Sequence, residues 1–80
     1  MSDQAVARFL QYLRVERDAS SYTLANYRYD LSRFFAILGH RRLGDVTPFD
    51  VRRFVAQLST IGESRRTIAR RLSCVRSFFR

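Results

Sequence analysis

S-R-R-T-I-A-R-R-L-S-C-V-R-S-F-F-R, Ser64 to Arg80, carries two different faces on one segment. Ile68, Leu72, Val75 and Phe79 fall at i, i+4, i+7 and i+11, a single stripe of an α-helix. Arg66, Arg70, Ser73, Ser77 and Arg80 fall on the other side. One face suits a hydrophobic core, and the opposite face suits something negatively charged. No glycine, asparagine or proline closes the pattern before Arg80, so the sequence reads as a piece of a longer protein.

Working outward, Ser64 is the expected N-cap of this helix over 65–80, and Gly62 ends the one before it. That preceding helix spans 48–61. Its start is marked by Thr47 as N-cap, Pro48 in the first turn and Asp50 near the positive end of the dipole. Val51, Phe54, Val55 and Leu58 form its inner stripe. Residues 22–38 predict a longer helix capped by Ser21, with Leu24, Tyr27, Leu31, Phe34, Phe35 and Leu38 inward and Gly39 just past its end. The first helix spans 3–17, capped by Ser2 or Asp3, with Val6, Phe9, Leu10 and Leu13 inward. Nothing alternates with period two, and the connections are short. The fold class is therefore all-α, a compact four-helix bundle.

Eighty residues lie near the lower size at which a core sustains a fold without disulfides or metals. Seven phenylalanines and four tyrosines supply much of that core. A single cysteine forms no internal disulfide and fits a reducing cytoplasm. No signal peptide and no apolar run of membrane-spanning length is legible. The net charge of +8 is one-sided. Residues 1–40 hold five arginines against four acids, and residues 41–80 hold ten against three. A basic surface of this kind suits a polyanion, most often nucleic acid. All fifteen basic residues are arginine, which fits a GC-rich coding genome and carries no function by itself.

Two outward faces can meet such a partner. On the second helix Tyr22, Asn26, Tyr29 and Arg33 share a side, and these residue types read base edges and phosphates. At the start of the fourth helix Ser64, Arg65, Arg66 and Thr67 gather, with Arg70 a turn further along. Unpaired backbone N–H groups and the dipole there favour a phosphate. Ser73 and Ser77 extend that face, while Arg71 and Arg76 flank the apolar stripe, where they pack or pair with an acid. Cys74 and Phe78 border the core. His40, after a helix C-terminus, interacts with the dipole. The bland alternative for both faces is a solvated arginine surface, or a module that docks an acidic protein partner.

No catalytic constellation is legible: there is no glycine-rich phosphate loop, no metal-ligand cluster and no paired acids. Cys74 and His40 are too far apart in sequence to suggest zinc. None of Tyr12, Tyr22, Tyr27 and Tyr29 has the neighbouring base that marks a nucleophile.

Ordered blocks along nearly the whole chain resemble the tyrosine site-specific recombinases, and among them the Xer recombinases. The blocks are F-L-Q-Y-L-R-V-E-R-D-A-S at Phe9 to Ser20 and Y-T-L-A-N-Y-R-Y-D-L-S-R-F at Tyr22 to Phe34. L-G-D-V-T-P-F-D-V-R-R-F at Leu43 to Phe54 and the Ser64–Arg80 segment complete them. The resemblance, shared with phage and integron integrases, implies an N-terminal core-binding, SAM-like domain over 1–80. In that family the domain forms half of a clamp on double-stranded DNA, its second and fourth helices against the duplex. It implies no cofactor, metal, membrane or small-molecule ligand. Its partners would be identical or paralogous protomers in a tetrameric synapse, contacted through the first helix by Arg8, Gln11 and Tyr12, and a DNA translocase of the division machinery. Full-length relatives cut and rejoin DNA through a phosphotyrosine link, using residues of a C-terminal catalytic domain that this chain is expected to lack. No catalytic residue carries over to these 80 positions. Tyr29 stands where relatives often have a basic residue. The implied setting is chromosome or plasmid dimer resolution in the bacterial cytoplasm.

Overall fold

Where each helix begins and ends is decided by a handful of residues. In the computed structural model, which describes residues 3–39 and 42–79, every regular element is helical. The elements are α1 (Asp3–Glu16), α2 (Ser21–Leu38), a 3-10 turn at Leu43–Asp45, α3 (Pro48–Thr60) and α4 (Arg65–Phe79). Ser2, His40 and Arg80, and the side chain of Asp3, lie outside the described residues. The expected boundaries hold to within a residue at each described end. One cap differs: Ser20, not Ser21, starts α2, because Ser20 is extended and its hydroxyl accepts from the Thr23 amide at 3.1 Å.

Thr47 caps α3 as its sequence predicts. Its hydroxyl accepts from the Asp50 amide at 3.4 Å, and its own amide donates to Asp50 Oδ2 at 2.9 Å. The end of α3 matters more for the site. Gly62 takes a φ of 92°, its amide donates to the Ser59 carbonyl, and the Glu63 amide reaches back to the Leu58 carbonyl. This is a Schellman closure, which glycine enters without strain. It sets the position of Glu63 immediately before α4.

The core is shared by α2, α3 and α4. Leu31 and Phe34 of α2, Phe54 and Leu58 of α3, and Cys74 and Val75 of α4 are buried together. Phe34 and Phe54 meet edge to face with centroids 5.1 Å apart. α2 packs against each of the other helices. On its α1 side, Phe9 stacks on Tyr27 and meets Phe78 edge-on.

The inner face of α4 is broader than the expected stripe, which still meets the core: Ile68 packs against it and the Phe79 ring meets Phe34 with centroids 5.8 Å apart. Val75 is buried, but Ile68 and Leu72 are half-buried and Phe79 is 38% exposed. Cys74 is buried beside Val75, and half-buried Phe78 and Arg71 join the inward face. The reason lies in α2, which offers a buried carboxylate where α4 packs.

Candidate nucleic-acid interface

Asp30 has no solvent exposure, although it is charged. It sits three residues after Tyr27 and four before Phe34, so the periodicity of α2 carries it into the core. A buried carboxylate needs partners, and α4 supplies two. Arg70 Nη1 donates to Asp30 Oδ2 at 3.1 Å, and Arg71 Nη1 donates to Asp30 Oδ1. Arg71 also donates through Nε to Glu63 Oε1 at 2.7 Å. Arg33, one turn along α2, donates through Nη1 to Glu63 Oε2 at 2.8 Å.

The result is one chain of charges, Arg70–Asp30–Arg71–Glu63–Arg33, in which three cations hold two acids. It joins α2, the α3–α4 turn and α4. No buried side-chain nitrogen or oxygen among the described residues lacks a partner. The hydrogen bonds from Arg71 and then Arg33 hold the Glu63 carboxyl below its ordinary value. Burial acts to lower the Arg71 guanidinium, but its bonds to Glu63 and Asp30 outweigh that and raise it. Tyr29 lies over the network, with Arg33 and Arg71 guanidinium carbons 5.7 and 5.4 Å from its ring centroid.

The network brings together Tyr29, Arg33 and Arg70 from the sequence-derived set. Arg71 is deep within it, with a side chain 11% exposed, whereas Arg70 is 49% exposed. Arg65 and Arg66 are exposed on the first turn of α4, directly after Glu63 and Ser64. Ser64 is occupied as a cap: its hydroxyl accepts from the Thr67 amide at 3.1 Å and donates to Thr67 Oγ1. Thr67 is half-buried, and Ser73 is exposed on the outer side of α4.

Other members stand apart. Ser77 is half-buried in a groove with Phe9, Tyr12, Leu13, Tyr27 and Phe78, about 16 Å along the helix from Arg66. Tyr22 is exposed in the first turn of α2, and Asn26 is half-buried one turn before Asp30. Arg76 is exposed and borders a second groove with Arg52, Pro48, Val51 and Phe79.

Sequence reading missed Asp30 and Glu63, and it ranked Arg71 only as a flank. The signal for Asp30 was present, since an acid at a core position of an amphipathic helix demands a cation from another element. Glu63 carried no such signal, because a glutamate after a glycine turn has no periodicity to betray its direction.

Chemically, the guanidinium groups of the α2–α4 surface are suited to anions. Arg33 and Arg70 each spend one nitrogen on an internal carboxylate in these contacts, and a guanidinium has five N–H donors. Arg66, exposed one turn before Arg70 on α4, and exposed Arg65 next to it in the chain add two cations. Cys74 supplies no reactivity: burial pushes its thiol up to about 12, and its sulfur lies 3.8 Å from the Tyr27 carbonyl oxygen. Among the described residues no helix is long and apolar enough to cross a membrane.

Comparison with known proteins agrees with this architecture. The chain is 37% identical over 75 residues to tyrosine recombinase XerC of Anoxybacillus flavithermus, covering 90% of this chain and 25% of that protein. It is 41% identical over 80 residues to XerC of Roseiflexus castenholzii, covering 96% of this chain and 26% of that protein. Tyrosine recombinase XerD of Chlorobaculum tepidum is 40% identical over 72 residues, covering 88% of this chain and 24% of that protein. The chain thus spans about a quarter of the length of these relatives. No solved structure matches it. Residues 6–80 match the family described as phage integrase, N-terminal SAM-like domain, and with four helices, a shared core and XerC and XerD homologues along its length, the chain belongs to that family.

Proposed function

We propose that this chain is the DNA-gripping, N-terminal core-binding domain of a tyrosine recombinase, and that it holds duplex DNA against the outer sides of α2 and α4. The observation that carries the reading is the network that ties Arg33, Arg70 and Tyr29 together across α2 and α4, with Arg66 exposed one turn before Arg70 and Arg65 exposed next to it in the chain. Phosphates are the natural ligands of such a surface, and the +8 net charge draws a duplex toward it. Tyr22, Asn26 and Ser73 extend the surface beyond the cluster. Ser64 and Thr67 contribute indirectly, by closing the α4 N-terminus: the Ser64 hydroxyl accepts from the Thr67 amide and donates to Thr67 Oγ1.

In this reading the whole recombinase cuts and rejoins DNA through a phosphotyrosine link formed by residues outside these 80. It acts on chromosome or plasmid dimers in the bacterial cytoplasm, with protomers assembled in a synapse. The chain's own contribution is grip and placement, with no bond made or broken.

The test is fluorescence anisotropy of the 80-residue chain on duplex DNA across a salt series. About five neutralised phosphates give a slope of log affinity against log salt of about −4.5. Arg65→Ala with Arg66→Ala should flatten the slope by about two and leave the fold intact. An unchanged slope would move the binding face elsewhere. Absence of duplex binding even at low salt would favour an acidic protein partner for the same arginines.

A further inference from the structure

Two acids lie at the centre of a surface built to attract anions, and this placement calls for a reason. Asp30 and Glu63 lower the positive charge of the face, so net electrostatics alone would favour their absence. Neither is placed as a free competitor for Arg71, because Asp30 is fully buried and the Arg71 side chain is 11% exposed. That guanidinium is enclosed by its two carboxylate partners and is not an open contact for a ligand phosphate. Arg70, with a side chain 49% exposed, is open to a ligand, and Arg33, at 22%, is partly so. In the bonds described, each is held through Nη1 alone, Arg70 to Asp30 and Arg33 to Glu63. Arg71 bridges the two acids, donating to Glu63 and to Asp30. The Tyr29 ring faces the guanidinium groups of Arg33 and Arg71 at 5.7 and 5.4 Å.

We infer that Asp30 and Glu63 are positioning residues for nucleic-acid binding: they pin Arg70 and Arg33 so that the remaining guanidinium donors are presented to phosphates. The inference rests on the DNA-binding reading above and goes beyond it. It assigns a role in binding to two acids that charge alone would count as unfavourable. A flexible arginine loses rotamer freedom when it meets a phosphate, and a pinned one has already lost it. Pre-orientation of this kind favours binding even though each acid subtracts a charge.

The opposed signs make the test sharp. Asp30→Asn raises the net charge by one unit while keeping the side-chain shape. Simple electrostatics requires tighter duplex binding and a steeper salt slope. Positioning requires the reverse, weaker binding by about fivefold, the scale of coupling within one ion-pair network. The effect should also vanish when Arg70 is already alanine, which a general loss of fold would not reproduce. Thermal unfolding by circular dichroism accompanies each variant. Should Asp30→Asn fail to fold, Glu63→Gln with Arg33→Ala as its cycle partner decides by the same criteria, since Glu63 lies in the turn outside the buried core. Wild-type binding with equal or tighter binding by the folded variant, or an effect that persists without the arginine, overturns the positioning role alone. No wild-type binding at low salt overturns the DNA-binding reading, and this role with it.

Discussion

Arg71 Nε donates to Glu63 Oε1 at 2.7 Å, tying the middle of α4 to the turn that precedes it. The same guanidinium donates through Nη1 to Asp30 of α2. One side chain therefore fixes both the rotation of α4 and the path of the α3–α4 turn. Because Arg71 must face α2, Cys74 and Phe78 follow it inward, and Arg65 and Arg66 are left on the outside.

Glu63 gives the fold an acid-sensitive joint. Its carboxyl is held below the ordinary 4.5 by hydrogen bonds from Arg71 and Arg33. A depressed folded-state value contributes stability that is present above the unfolded value and is lost as pH falls through the folded one. Urea midpoints should thus decline as pH drops below about 4.5, and Glu63→Gln should remove part of that decline. An identical pH profile in the variant would show that Glu63 does not carry it.

Phe34→Ala should be severe. Phe34 is fully buried, and its ring meets Phe54 edge to face. Truncation of a buried phenylalanine costs about 3–5 kcal/mol, comparable to the whole stability of a domain this small. The variant should lose cooperative thermal unfolding, measured by circular dichroism. A sharp transition within a few degrees of wild type would contradict the central place given to this ring.

Gly62→Ala isolates a backbone effect. A Cβ at Gly62 meets nothing within 4 Å, so the cost is conformational and not steric. With φ at 92°, alanine there should lose about 1 kcal/mol in chemical denaturation. Because Glu63 hangs from this turn, duplex affinity should drop along with stability.

Cys74 should be silent towards thiol reagents in the native state. Burial raises the thiol to about 12, and the side chain is 1% exposed. Labelling by a chromogenic disulfide should proceed at the rate of opening and accelerate in urea. Rapid stoichiometric labelling of the folded chain would show that α4 is not seated as described.

The helices, their order and most of their caps were determined by the sequence alone, since these depend on contacts three or four residues apart. Val6 to Leu13, Leu24 to Leu38 and Val51 to Leu58 declare their inner faces, and Thr47-Pro48 and Gly62 declare the ends of α3. The basic character of α4 and the family resemblance were legible in the same way. Only the tertiary structure decided how α4 rotates on α2 and which arginines remain outward. That choice is made by Asp30, which lies 40 and 41 residues from Arg70 and Arg71, and by Glu63, eight residues before Arg71. Local periodicity treats every arginine as polar and solvent-facing. A buried carboxylate contributed by a distant helix reverses that for Arg71 and engages one nitrogen of Arg70, while Arg65 and Arg66 stay exposed.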